Sequence, residues 1–430
     1  MERKIENVLL NWKNSAKRLP LIVHGARQVG KTYSILKFGK KHYTNTLYLN
    51  FESNNRLSDI FEKDLSPNRI LKELSVLSGK TIVEKDSLIF FDEIQADERA
   101  LTSLKYFAEQ VPQYHIIVAG SLLGVAINRE NFSFPVGKVE MYSLYPMDFE
   151  EFLWAEQQKE GVEIIRECFN NNSKCSLHSH FMEFYKVYLC TGGMPQVIKE
   201  YIETRDFDFI TAIQKNINDA YIADMAKYAS PKETVRIMGV FNSIPTQLAK
   251  ENRKFQYKHI KLGARANVYQ MSIEWLKASG IIVLSKKVTE GKFPLSVYID
   301  NNSFKIYIAD TGLLLSKFGI PANAILSEVS GFYDIKGVLA ENYVAAALSA
   351  NQYIPNYWES QGKAEVDFII QNRNGEIIPI EVKSSENVHS KSLQQFVSRY
   401  KPVYSIRISS KNFGFENNIK SIPLYACFCI

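Results

Sequence analysis

The chain has 430 residues, 46% hydrophobic and 23% charged side chains, and a formal net charge of +6. The length suggests two to four domains of roughly 100–200 residues each, and the composition is that of soluble globular protein with extensive cores. The opening MERKIENVLLNWKNS reads as a charged amphipathic helix rather than a secretory leader, and the most apolar stretch, HIIVAGSLLGVAI, is shorter than the about 20 residues a membrane helix needs. The reading expects no membrane partner. Five cysteines (168, 175, 190, 427 and 429) are odd in number and lack paired zinc spacing, which points to a reducing, cytoplasmic setting. Cys427 and Cys429 read as core residues of an apolar terminal strand.

After the opening helix, LPLIVHGARQVGKTYSILKFG sets an apolar strand before the pattern G-x-x-x-x-G-K-T and a helical stretch. Strand, loop and helix in that order are the context a phosphate-binding loop requires. Gly25 and Gly30 let the backbone wrap phosphate groups, and amides at the following helix N-terminus point at the anion. The nucleotide-contacting run is therefore Gly25, Ala26, Arg27, Gln28, Val29, Gly30, Lys31, Thr32 and Tyr33, with Lys31 reaching the β- and γ-phosphates and Thr32 ligating magnesium. DSLIFFDEIQ supplies the partner. Its buried strand ends in Asp92, suited to the Mg²⁺ shell, and Glu93, suited to polarising the attacking water. HIIVAGS ends at Ser121, read either as a contact to the γ-phosphate or lytic water or as a helix N-cap. Arg129 is read either as a finger reaching a neighbouring subunit's nucleotide in a homo-oligomer or as a surface arginine.

GARQVGKT, LIFFDEIQ, VAGSLLG and LYPMDFEEFL, in that order, resemble the AAA+-type ATP-binding proteins of bacteria and archaea, which carry a C-terminal domain of unknown function. The resemblance covers nearly the whole chain. It implies a P-loop ATPase fold, and by matching position it implies the roles given to Lys31, Thr32, Asp92, Glu93 and Ser121.

From about 151 to 230 the apolar spacing is helical and reads as a lid, interrupted at CTGGMPQVI by a tight turn read as hinge architecture. From 231 to 330 the pattern reads as a winged helix-turn-helix and connector. A short helix follows Pro245, a second carries an apolar core stripe at Val268, Met271, Trp275 and Leu276, and IIVLSKKV begins the wing. Between Thr246 and Lys292 stand ten Lys or Arg against three Glu, an excess larger than that of the whole chain. That is the electrostatic footprint of a nucleic-acid-facing module, or else a solvated face or an interface with an acidic domain. Arg265 stands at the start of the second helix, where groove readers meet bases, and Lys261 is a further nucleic-acid candidate. The rival role is passing nucleotide state between domains without touching DNA.

Residues 331–430 read as a helix, three strands, a helix and further strands, the αβββαβ order of a restriction-endonuclease-like core. Glu341 on the first helix, Asp367 on the second strand and Glu381-Val-Lys383 on the third resemble the PD-(D/E)XK nuclease pattern, with Val366 where that pattern has proline. Alternation puts Glu381 and Lys383 on one strand face. Glu341, Asp367 and Glu381 would hold Mg²⁺ or Mn²⁺, and Lys383 would steady developing charge on a scissile phosphate. The expected fold is thus α/β: a P-loop NTPase core over 1–150 (parallel sheet, helices on both sides), the helical lid, the winged helix and the nuclease-like domain. The expected function is an ATP-hydrolysing protein that acts on or binds DNA. The alternative is a nucleotide-gated switch whose nuclease-like domain is an inactive scaffold.

Overall fold

The computed structural model of the chain describes residues 1–54, 56–121, 123–126, 134–251, 253–327, 333–360, 364–385 and 391–430. Arg129 lies outside the described residues. Two compact units result, Glu2–Tyr145 and Pro146–Ile430, with Met1 grouped with the second.

The N-terminal unit is built on five parallel strands, β1 (Leu21–His24), β2 (Asn45–Asn50), β3 (Ser87–Asp92), β4 (His115–Gly120) and β5 (Glu140–Ser143), in the order β2-β3-β4-β1-β5. Every residue of β3 and β4 is buried, as central strands covered on both faces must be. Ile22, Leu47, Ile89, Phe91, Ile116 and Val118 face one side and pack with Phe61, Leu74, Leu104 and Phe107 from the helices Arg56–Lys63, Pro67–Ser78 and Glu98–Gln110. The opposite side receives the helix Lys31–His42, which approaches so closely that a Cβ on Gly39 would stand 2.4 Å from Thr46 Oγ1 and 3.1 Å from Leu88. All five strands point the same way, so their carboxyl ends gather at one edge, where open α/β sheets bind ligands.

The second unit opens with the helices Phe149–Ala155, Lys159–Asn171, His178–Thr191, Pro195–Thr204 and Phe207–Tyr228. Between the third and fourth, Gly192 (φ 68°, ψ −164°) adopts backbone that only glycine tolerates. The turn is gripped by Asp310, whose carboxylate accepts from Gly193 N (2.6 Å) and Leu313 N (2.8 Å). Burial pushes the Asp310 carboxyl up to about 6 against the lowering effect of those amides.

Eight strands form the sheet of this unit: β6 (Ile282–Val288), β7 (Ile299–Ile308), β8 (Asn356–Ser360), β9 (Ala364–Gln371), β10 (Ile377–Val382), β11 (Ser405–Ser409), β12 (Gly414–Glu416) and β13 (Ile419–Pro423). Their order is β12-β13-β11-β10-β9-β8-β6-β7. The β6–β7 hairpin, expected as the wing of a separate module, joins the C-terminal strands through β6–β8 pairing at Lys287–Tyr357 and Val288–Trp358, so the sheet is continuous across residue 330. The helix Lys391–Tyr400 covers Trp358, Val366 and Ile369 with Leu393 and Phe396. On the helix Tyr333–Ala350, buried Asn342 exchanges hydrogen bonds with both Ile308 N and Ile308 O (2.9 Å each), closing the end of edge strand β7.

Three local expectations are corrected. Pro245 does not precede a new α-helix but lies inside the helix Pro231–Leu248, started by the Ser230–Glu233 capping box and held by buried Ile237, Val240, Phe241, Ile244 and Leu248. That apolar face outweighs the one backbone bond the proline removes. Among the described residues only a 3₁₀ turn, Tyr257–His259, stands between that helix and the helix Ala266–Ala278. On the helix Ala266–Ala278 the buried residues are Ser272, Ile273 and Leu276, while Met271 is 71% exposed. The terminal stretch is strand only to Pro423, and Leu424–Cys429 form a 3₁₀ turn that buries Cys427.

Candidate functional site

The phosphate loop runs from the carboxyl end of β1 to the helix that begins at Lys31. Gly25 has φ 144°, and a Cβ there would lie 2.1 Å from Leu144 O; Gly30, at φ 90°, turns the chain into the helix. Gln28 shares the left-handed conformation at φ 67°, and Ala26 and Val29 are buried. Lys31 is buried and donates to Gly25 O (2.9 Å) and Ala26 O (2.8 Å), so its ammonium lies inside the loop it is expected to serve. Arg27 stands 4.0 Å from Glu52 at the surface, and Tyr33 is 59% exposed.

β3 delivers the acids beside this loop. Asp92 Oδ2 accepts from Thr32 Oγ1 and from Tyr48 Oη, each at 2.9 Å. Burial raises the Asp92 carboxyl above the usual carboxylate range, opposed by those two hydroxyls. A hydroxyl and a carboxylate joined at the helix N-terminus are the donor set a magnesium ion takes beside a triphosphate. Glu93, at φ 50°, accepts from Gln95 Nε2 (2.5 Å), and Ser121 Oγ sits 3.5 Å from the same Glu93 oxygen. Lys31, Thr32, Asp92, Glu93 and Ser121 are thus brought together at the carboxyl edge of the five strands.

Three residues of this region carried no sequence signal of their role. Tyr48 is an outward residue of β2, and Gln95 follows the acid pair. Arg3 is buried and donates to Val29 O (2.7 Å) and Tyr145 O (2.8 Å), pinning the loop from 26 residues upstream. His24, at the tip of β1, pairs with Ser143 Oγ (2.9 Å); burial and then Lys31 hold its imidazole below its ordinary value.

In the second unit, Asp367, Glu381 and Lys383 meet on neighbouring strands. Asp367 Oδ2 accepts from Val382 N (2.8 Å), and Lys383 Nζ lies 2.8 Å from Glu381 Oε1. Burial depresses the Lys383 ammonium, but Glu381 and then Asp367 outweigh it and hold the group above its ordinary value. Glu341 is engaged differently. It is 2% exposed and ion-paired with Arg253 and with Lys305 (3.1 Å), and it accepts from Tyr307 Oη. Lys305, itself 1% exposed, also pairs with Glu365 at 2.6 Å. Among the described residues no three His, Cys, Asp or Glu side chains converge to hold a metal ion. Arg253 and Lys305, both from the segment preceding residue 331, were not foreseen as partners of this acid set.

Lys261 and Arg265 are exposed on the turn that enters the helix Ala266–Ala278, with Arg265 at its N-cap position. Leu262 between them is 93% exposed. Among the described residues no helix is long and apolar enough to cross a membrane.

The geometry of the first unit defines a P-loop nucleotide-binding fold, and residues 17–153 match the family model of an AAA domain. The N-terminal third is an AAA-type P-loop ATPase fold. Residues 182–324 and 336–427 match two domains of unknown function, DUF8612 and DUF4143. The chain is 21% identical over 422 residues to the uncharacterized protein MJ1544 of Methanocaldococcus jannaschii, covering 92% of this chain and 82% of that one. Among solved structures it is similar to the Walker-type ATPase PABY2304 of Pyrococcus abyssi (16% identity, 74% of this chain and 95% of that chain, TM-score 0.45). It is also similar to the ORC2 protein of Aeropyrum pernix in ADPNP and ADP complexes (10%, 78% and 92%, 0.34). The AAA-domain match and the loop geometry, not these distant likenesses, define the class.

Proposed function

We propose that the chain is a Mg²⁺-dependent ATPase whose nucleotide state governs nucleic-acid binding by the second unit. The observation that carries the reading is the convergence of Lys31, Thr32 and Asp92 around a loop that only glycine-rich backbone can form, with Glu93 beside them. Thr32 and Asp92 would hold the ion, which supplies charge neutralisation of the phosphates. Lys31 would leave its two loop carbonyls for phosphate oxygens, a stronger charge-assisted contact. Glu93, held by Gln95 and near Ser121, would orient and polarise the attacking water. The test is ATP turnover by purified full chain. Lys31→Ala abolishes it, and Glu93→Gln binds ATP without cleaving it; turnover retained in Lys31→Ala refutes the assignment.

Nucleic-acid binding is supported by the basic excess over residues 246–292 and by the exposed Lys261 and Arg265. DNA is the favoured partner. Charge reversal at these two positions weakens binding and lowers its salt dependence, whereas unchanged affinity assigns this module to communication inside the chain.

For the C-terminal acids a specific observation favours the switch over the nuclease: Arg253 and Lys305 already neutralise Glu341, and Lys305 also neutralises Glu365. The residues fit a salt-bridged scaffold better than a divalent-ion site, and no step is derived through a metal there. DNA incubated with Mg²⁺ or Mn²⁺ stays intact on this reading. Cleavage that is lost in Asp367→Ala restores the nuclease.

A further inference from the structure

A cavity in the second unit has no role in the function proposed above. β10, β11 and β13 lie side by side and parallel, so their carboxyl ends share one edge of the sheet. The chain leaving β10 supplies Ser384 and Ser385, the chain leaving β11 supplies Ser410, and the chain leaving β13 supplies Leu424. All four line a single cavity of 490 Å³. The facing walls come from the helix His178–Thr191, with Lys186, and from the helix Tyr333–Ala350, with Lys336.

Three features argue for a small-molecule site. The volume falls in the range of about 300–1,000 Å³ typical of ligand pockets. The position, outside the carboxyl ends of adjacent parallel strands, is where α/β sheets bind ligands. The lining also divides by chemistry. The lining carries the lysines Lys186 and Lys336, four serines and the acid Glu183, while Met182, Leu189, Ile325 and Ala340 make an apolar wall. Tyr185 also lines the cavity; it is 3% exposed, and its hydroxyl has no hydrogen-bond partner among the described residues. His178 is committed to the frame, with one ring nitrogen on Ser410 O (2.9 Å) and the other on Tyr425 Oη (3.1 Å).

We infer that this cavity binds a nucleoside monophosphate group, its phosphate held by Lys186, Lys336 and the strand-end serines and its base against the apolar wall. Lysines meet a phosphate as mobile point charges and serine hydroxyls donate to its oxygens, while the apolar wall suits a planar heterocycle. Two sources carry this chemistry: a free mononucleotide and the 5′-phosphorylated end of a strand.

The experiment uses the full chain carrying Lys31→Ala, which disables the N-terminal phosphate loop, so failure of the ATPase reading and failure of this one are separately visible. AMP, inorganic phosphate and a 5′-phosphorylated oligonucleotide are titrated by calorimetry, and hydrogen exchange locates the bound probe. AMP is expected to saturate, to protect residues 182–189 and 336–340, and to lose at least tenfold in affinity in Lys186→Met/Lys336→Met. Ser385→Trp, a change at the exposed mouth that spares the core, is expected to block AMP equally. Tighter binding of the oligonucleotide than of AMP identifies the strand end as the source, and the reverse order identifies the free nucleotide. Absence of saturation overturns the proposal, as does undiminished binding in both variants or protection confined to residues 20–33. Phosphate binding as tightly as AMP overturns the nucleoside assignment.

Discussion

Arg3 offers the sharpest test of how the phosphate loop is held. Its guanidinium is buried and bridges Val29 O, inside the loop, to Tyr145 O at the other end of the N-terminal unit. Hydrogen bonds to a charged donor are each worth about 1.5–3 kcal/mol. Arg3→Ala removes two at once and strands two carbonyls, partly re-satisfied by water, so the unit loses about 3 kcal/mol. If half of that loss loosens residues 25–30 specifically, ATP affinity falls roughly tenfold, since about 1.4 kcal/mol is a factor of ten. Arg3→Lys keeps the charge but reaches only one carbonyl, and it falls between the two. Titration with a fluorescent ATP analogue, paired with denaturant unfolding of the same samples, separates the effects. A destabilised Arg3→Ala chain with unaltered ATP affinity refutes the loop-pinning role, and an unchanged midpoint refutes the energetic argument altogether.

Four further outcomes follow from the same structure. Gly192→Ala places a Cβ 2.2 Å from the Asp310 carboxylate at φ 68°, so it destabilises the second unit by about 3 kcal/mol and accelerates amide exchange around residues 188–198. Lys305→Met leaves Glu341 and Glu365 without their shared cation and costs about 3–5 kcal/mol in denaturant unfolding; adding Glu341→Gln recovers part of it, and a purely additive double variant contradicts the coupling. Tyr48→Phe deletes a donor to Asp92 and weakens ATP-dependent turnover without loss of fold, measured against Thr32→Val as the stronger lesion. His115 is pushed down to about 4 by burial and by Arg18, Lys13 and Lys85. Because the unfolded chain takes that proton near 6.5 and the folded one near 4, the group's contribution is complete above 6.5 and is lost as pH falls from 6.5 to 4. His115→Gln flattens that part of the stability–pH curve.

The phosphate loop was readable because its chemistry is local: eight consecutive residues dictate the backbone, and an apolar run followed by Asp92-Glu93 announces a buried strand tip. Strands β9 and β10 and the helix Lys391–Tyr400 were readable for the same reason, through alternation and helical spacing. What escaped is carried by distance along the chain. Arg3 serves a loop 26 residues away, and Lys305 sits in an apolar strand run where nothing nearby reveals that its partners lie 36 and 60 residues onward. Pro245 misled because local backbone rules mark it as a boundary, while the buried face of the helix Pro231–Leu248 overrides them. Met271 matched helical spacing but points to solvent. Periodicity identifies a stripe and cannot tell which stripe the remainder of the fold will cover.

The joint between β6 and β8 rests on only two residue pairs, yet it is the splice through which the basic hairpin belongs to the same plate as β10. Lys254 and Lys287 both clamp Glu359 across that splice, and Lys305 rivets the far side to Glu365. A load on the hairpin is therefore passed to β8 and β9 through paired charges as well as through backbone bonds.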